Sequence, residues 1–281
     1  MEAEAEQSFC FAYVTALAGR SGERQSGLGF SAGRGPGLLH PERAGREAAD
    51  KARALLGARP CRTGSYTVVF DREVAAALLT GMAGALSADA VQKARSVFKG
   101  RVGETVASQV LTVFDDGLAL EGMATSPFDG EGIPQQTTPL LEAGVLRAFL
   151  QSSYTARKDG ETVASTGNAL RSSYRSVPGV GATNLVVLPG EGDLADVTAR
   201  VGEGLYVDGV AGLHSGVNPI SGEISVGATG RLITGGALGA PVREVTIATD
   251  FLRFLGSVSD VGGDARWIPL HGSVCTPSLV V

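Results

Sequence analysis

Leu205-Tyr-Val-Asp-Gly-Val-Ala-Gly-Leu213, Ile220-Ser-Gly-Glu-Ile-Ser-Val-Gly-Ala-Thr229 and Val242-Arg-Glu-Val-Thr-Ile-Ala248 are β-prone runs separated by little more than glycine-rich breaks. Val, Ile, Tyr and Thr suit a pleated, half-buried surface, and the glycines supply turns. Leu232–Ile233 reads as a further short strand. Working outward, strands are predicted over 9–17, 26–31, 65–70, 144–150 and 183–188, with weak alternation over 106–114. Helices are predicted over 41–56, 72–86, 88–98, 193–201 and 251–258. The first places Ala44, Ala48, Ala52 and Leu55 on one face and has Gly57 as its stop. Ser87, Asp193 and Asp250 are the expected N-caps of the last three. The fold class is therefore α+β, with antiparallel or mixed β-sheets and a few packed helices.

Composition narrows the function. The 281 residues allow a sizeable core, and the net charge of −5 lacks the basic footprint of nonspecific nucleic-acid binding. Forty glycines favour a turn-rich, strand-rich protein. Three widely spaced cysteines, at 10, 61 and 275, suggest a reducing compartment rather than a disulfide framework. The acidic start, Met1-Glu-Ala-Glu-Ala-Glu6, lacks a signal peptide's basic region, and no run of 18 apolar residues occurs. A cytoplasmic location is expected.

Two stretches concentrate turn-forming and charged residues: Ser126-Pro-Phe-Asp-Gly-Glu-Gly132 and Ser165-Thr-Gly-Asn-Ala-Leu-Arg171. Gly132 and Gly167 can take positive φ, and Asp129 and Asn168 can bond the backbone of their own turns. Asp115 and Asp116 with Asp129 and Glu131 read either as a divalent-cation or acid/base site or as turn caps, and turn capping is favoured. Asn168 and Arg171 could hold a substrate carboxylate or bridge two loops. Ser165, Thr166 and Ser225 lack the setting of an activated nucleophile. His214, in a loop after a strand, is a candidate site residue, although a structural role is favoured. The three histidines, at 40, 214 and 271, form no short-spaced metal pair with the cysteines. His271 and Cys275 are four apart, but Gly272 and Pro277 argue against a helical face there.

Taken in order, these stretches resemble the TldD/TldE (PmbA) family. The resemblance runs through Gly45-Arg-Glu-Ala-Ala-Asp50, Tyr66-Thr-Val-Val-Phe70, Gly103-Glu-Thr-Val-Ala-Ser108 and Asp115-Asp116. It continues through the two stretches above, then Gly204-Leu-Tyr-Val207, Asn218-Pro-Ile-Ser-Gly222, Ser225-Val-Gly-Ala-Thr-Gly230 and Pro277-Ser-Leu279. The family, long named modulators of DNA gyrase, is regarded as a two-subunit metalloprotease. Its catalytic subunit carries H-E-x-x-x-H on the helix after the strand that here includes Tyr66–Phe70. Thr80, Gly81 and Ala85 stand at the matching positions. The third ligand, a Cys near the C-terminus, aligns near Gly262-Gly-Asp264, and Cys275 is not a residue-by-residue match.

The resemblance therefore implies a TldE-like, metal-free subunit with no catalytic residues or cofactor of its own. It implies zinc in a TldD-like partner, and a shared chamber that admits small unfolded peptides or peptide-like conjugates. Asp129, Glu131, Asn168, Arg171 and His214 are the candidate substrate or partner contacts. Family members carry a substantial N-terminal domain, so residues 1–60 are expected to be the remnant of it and residues 61–281 the C-terminal-type domain. Two alternatives stay open: a stand-alone homodimeric binding or scaffold protein, and a hydrolase with its own unrecognised site.

Overall fold

The structure is a computed structural model describing residues 4–20, 22–270 and 272–281. The first three residues of the acidic start, Ser21 of an expected turn and His271 lie outside them. The chain opens with β1 (Cys10–Arg20) and β2 (Glu23–Gly33), paired antiparallel in uninterrupted register from Cys10 opposite Gly33 to Arg20 opposite Glu23. α1 (Pro41–Ala54) packs on one face of this hairpin. Its Ala44, Ala48 and Ala52 are fully buried. A Cβ added to Gly27 or Gly29 would lie 2.2 or 2.0 Å from the carbonyl oxygen of Ala48 or Ala44. Backbone thus meets backbone, and only glycine fits.

β3 (Arg59–Pro60) and β4 (Val68–Phe70) lead into α2 (Arg72–Ala83). Asp71 caps α2 by accepting from Glu73 N at 2.9 Å, and its other oxygen accepts the Tyr206 hydroxyl at 2.7 Å. α2 is apolar nearly all round, with Val74, Leu78, Leu79 and Met82 buried, as expected of a helix that packs on more than one side. The sequence expectation of a helix to residue 86 gives way to a 3-10 turn over Gly84–Leu86. The next helix, α3 (Ala88–Gln92), is capped by Ser87 as expected but stops well short of residue 98. Ala94 turns the chain at φ 55°, the Ser96 hydroxyl accepts from Phe98 N, and Phe98 is fully buried. Burial of that ring decides against a continued helix.

β5 (Val113–Asp116), β6 (Thr137–Glu142) and β7 (Val145–Leu146) form a meander. The strands expected over 106–114 and 144–150 shrink to the ends of this meander. Val106 and Ala107 instead donate to Gly144 O, and Leu150 exchanges backbone bonds with Leu86 and Ala88. α4 (Ser153–Asp159), β8 (Ala169–Leu170), β9 (Gly179–Val180) and β10 (Asn184–Val187) follow. Next come α5 (Leu194–Val201), β11 (Gly204–Ala211), α6 (Leu213–Gly216), β12 (Glu223–Thr234), β13 (Ala237–Asp250) and α7 (Phe251–Gly256). Asp193 and Asp250 cap α5 and α7 as predicted. The short strands β14 (Asp260–Val261), β15 (Arg266–Ile268), β16 (Ser273–Thr276) and β17 (Leu279–Val280) complete the chain.

Two sheets result. One has the order β14-β17-β4-β11-β12-β13-β3 and the other β15-β16-β10-β5-β6-β7. Both are mixed: β4 and β11 pair in parallel, as do β10 and β16, among otherwise mostly antiparallel partners. The class is α+β, as the sequence implied. α2 contacts β11 of the first sheet and β15 and β16 of the second. Around it lies a core containing Phe70, Leu78, Phe98, Leu150, Phe251 and Phe254.

Candidate functional site: a cleft beside α2

The two charged stretches meet. Asp129 Oδ1 accepts from Glu131 N (2.9 Å) and Ile133 N (3.0 Å), holding its own turn, while Oδ2 accepts from Ala169 N (3.0 Å) in the other stretch. Gly130 N donates to Ala169 O, and Arg171 Nε donates to Gly130 O at 2.6 Å. Arg171 therefore bridges loops. Asn168 departs from the expected turn bond: its Nδ2 donates to Asp115 Oδ2 (2.6 Å) and Gly181 O (3.1 Å), and its Oδ1 accepts from the Thr166 hydroxyl. It is a cross-link between loops because Asp115 lies buried beside it. Gly167 has φ 73°, and an added Cβ would lie 2.5 Å from Pro134 O.

The four carboxylates do not converge on one point. Asp115 accepts from Thr183 N, Thr183 Oγ1 and Asn168. Burial pushes its pKa up, and those hydrogen bonds pull it down. Asp116 accepts from Leu118 N and Thr137 Oγ1, and Glu131 accepts from Ser153 N at the start of α4. The hydroxyls of Ser165 and Thr166 are held by Gln151 O at 3.2 Å each. Ser225 is exposed on β12.

Next to this stapled region lies a cleft of about 540 Å³. Thr80 and Gly81 of α2 form one wall, Leu213 and His214 of α6 another, and Leu170 and Gly181 bring the stapled loops to its edge. His214 is exposed, on a one-turn helix opened by Gly212 at φ 81°. Thr80 donates its hydroxyl to Ala76 O at 2.8 Å. Ala85, by contrast, is fully buried in the core and does not line the cleft. Of the five sequence candidates, Asp129, Asn168 and Arg171 are thus joined in one network. Glu131 turns toward α4, and His214 stands across the cleft.

Sequence reasoning missed a charged group on the next stretch of sheet. Asp208 is the extra residue of a bulge between Val207 and Gly209 in the β11–β12 pairing. Burial pushes its carboxyl up to about 6, against the pull of Arg231. Lys51 on α1 and Glu73 on α2 pair nearby at 2.6 Å. Burial also raises the Glu73 carboxyl, with Lys51 opposing it. The available signal was a lone charge inside the apolar run Leu205–Val210.

The profile of the PmbA/TldA metallopeptidase C-terminal domain matches residues 63–281, and that of the central domain matches residues 1–56. The chain belongs to the PmbA/TldD metallopeptidase family. It is 28% identical over 269 residues to the metalloprotease PmbA of Escherichia coli O157:H7, covering 94% of this chain and 56% of that one. It is 30% identical over 223 residues to a metalloprotease TldD homolog of Buchnera aphidicola, covering 79% and 45%. A Thermotoga maritima structure labelled as a modulator of DNA gyrase superposes with a TM-score of 0.89 at 32% identity, over 96% of this chain and 60% of that one. TldE from Thermococcus kodakarensis shares the fold, with a TM-score of 0.87 at 24% identity over 97% and 61%. The chain therefore spans about half the length of the curated PmbA and TldD relatives it matches.

The family name implies a catalytic metal. The cleft wall in this chain does not fit one: Thr80, Gly81 and the buried Ala85 supply no imidazole or carboxylate. Among the described residues no group of three or more His, Cys, Asp or Glu side chains is placed to hold an ion. Cys275 sits where burial pushes its thiol up to about 11, opposite to the shift that favours a thiolate ligand. Also among the described residues, no helix is long and apolar enough to cross a membrane.

Proposed function

We propose that this chain is the TldE-like half of a heterodimeric, cytoplasmic metallopeptidase. It lends one wall of a peptide chamber to a TldD-like subunit that carries zinc. The observation that carries this reading is the cleft itself, which has a substrate-sized volume beside α2 and walls of Thr80, Gly81, Leu170 and Leu213 around one histidine. A wall of that chemistry suits an extended peptide, with main-chain groups and small apolar side chains to contact. The stapled loops support it by holding Leu170 and Gly181 rigid at the rim, as pre-organised binding requires. Attack of water on the amide belongs to the partner's metal, and no step of it runs through residues of this chain.

Affinity purification of the tagged chain from its native host tests the reading. Near-stoichiometric recovery of a relative bearing H-E-x-x-x-H is expected, with chelator-sensitive cleavage of unfolded peptides by the pair and none by this chain alone. Recovery as a homodimer without such a relative would favour a stand-alone binding protein. Metal-dependent cleavage by the isolated chain would favour a site of its own.

A further inference from the structure

A second cavity, of about 380 Å³, adjoins the cleft along Ala77, Leu213 and Leu270. The β1–β2 hairpin arches over it, contributing Tyr13, Leu28 and Phe30, and Val210 and Ile268 lie opposite. Phe30 is fixed in place, with Arg266 stacked 4.5 Å from its ring centre. Tyr13 and Leu28 are 52% and 46% exposed, so the groove is open to solvent along its rim.

Three charged side chains line this apolar groove: Lys51, Glu73 and Asp208. Lys51 and Glu73 satisfy one another. Asp208 forms no ion pair and accepts no side-chain or main-chain hydrogen bond from another residue among the described residues. Other charges act on it from beyond ion-pair distance: Arg231 on β12, over the Tyr206 ring at 5.4 Å from its centre, and Lys51 on α1 attract it, while Asp71 at the start of α2, which holds the Tyr206 hydroxyl, repels it. The groove is left with one carboxylate that has neither an ion pair nor a hydrogen bond from another residue among the described residues. Gly209, which follows, leaves room for the Thr229 hydroxyl, which a Cβ there would approach to 2.6 Å.

We propose that this groove is a specificity pocket for a lysine side chain on an extended apolar peptide, with Asp208 accepting the ammonium and the apolar walls covering the methylenes. The proposal rests on the peptide-chamber reading and adds what the chamber selects. A long apolar stem ending in a compact cation matches a walled groove with one carboxylate. Burial raises the Asp208 pKa, and Arg231 and Lys51 pull it back only in part.

Fluorescence anisotropy on the full chain tests it with labelled, N-acetylated, C-amidated heptapeptides of alanine and valine carrying one central lysine or norleucine. At pH 7.5 the lysine peptide is expected to bind about tenfold tighter, as one half-buried ion pair would give. The preference should vanish in Asp208→Asn, and in the wild type as pH falls below about 6, where Asp208 is protonated. Equal binding of the two peptides to the wild type overturns the lysine pocket while leaving the chamber reading in place, and needs no variant to fold. Failure of both peptides to bind overturns the lysine pocket, and the chamber reading then stands or falls on the co-purification test. A norleucine peptide with a free amino terminus that outbinds the acetylated lysine peptide would show that the pocket reads a chain terminus, and the proposal falls. So does a lysine preference that survives in Asp208→Asn.

Discussion

Asp115 holds three donors in the interior, from Thr183 N, Thr183 Oγ1 and Asn168 Nδ2, at 2.7, 2.9 and 2.6 Å. Asp115→Asn turns one acceptor into a donor facing donors, and a loss of about 2–4 kcal/mol is expected from the buried, unmatched groups. Denaturant titration measures it, and a loss under about 1 kcal/mol would mean the network adds little. Asp208 contributes with the opposite sense. Its pKa rises from 3.8 unfolded to about 6 folded, so between those values the folded state binds more protons than the unfolded chain. Stability attributable to this group therefore falls as pH rises through that window and stays reduced above it. Asp208→Asn should remove the penalty, gaining roughly 1–2 kcal/mol at pH 7 after allowance for its partial solvent contact. Unfolding of both proteins at pH 4 and pH 7 checks this, and an equal difference at both would contradict it. For Asp208 the one sequence signal is a lone charge in an apolar run, and for Asp115 there is none. Asp115 reads as one of a pair of surface-type acids, and nothing local says that it is buried and its neighbour Asp116 is not.

At the scale of elements, local chemistry was a good guide where the chain closes its own hydrogen bonds. Asp193 and Asp250 predicted the starts of α5 and α7, and the alanine face predicted α1. It was a poor guide at α3 and between residues 106 and 113, where long-range packing of Phe98 and bonds to Gly144 and Leu255 override local preference. The hairpin and α1 show how glycine works between elements. Gly29→Val would push a branched side chain into the Ala44 carbonyl, and a cost of about 2–4 kcal/mol is expected from the forced separation. Hydrogen exchange should speed up in β1, β2 and α1 while β11–β13 remain protected. Uniform loss of protection would mean the hairpin is integral to the whole core. Gly167→Ala should likewise destabilise, by about 2 kcal/mol or more, since strain at φ 73° adds to the clash with Pro134 O. Its effect should be read in the loop spanning 126–135.

Across the whole molecule, α2 lies between two mixed sheets, and the cleft forms where its solvent-facing turn meets α6 and the stapled loops. Restoring the catalytic motif on this helix tests whether the cleft alone suffices. The combined change Thr80→His, Gly81→Glu and Ala85→His should yield no zinc-dependent peptidase. Position 85 points into the packed core, where a larger side chain is expected to cost about 1–3 kcal/mol. A Cβ at position 81 already meets Val217 Cγ1 at 3.0 Å, and among the described residues no cysteine lines the cleft as a third ligand. Peptidase activity lost to a chelator in the purified triple variant would count against the proposed division of labour.

The sequence by itself determined the fold class, the glycine-broken strands and the caps of the later helices, because these depend on φ preference, β-branching and short-range hydrogen bonds. The order of its motifs also sufficed to point to the family. Only the tertiary structure decided that Asp129, Asn168 and Arg171 are staples between loops, that Thr80 and Gly81 line a cleft while Ala85 does not, and that Asp208 lines a groove beneath the hairpin without an ion pair among the described residues. Those outcomes depend on which surfaces exclude water and which distant backbone groups arrive beside a side chain, and residues 40 to 190 positions apart settle them jointly.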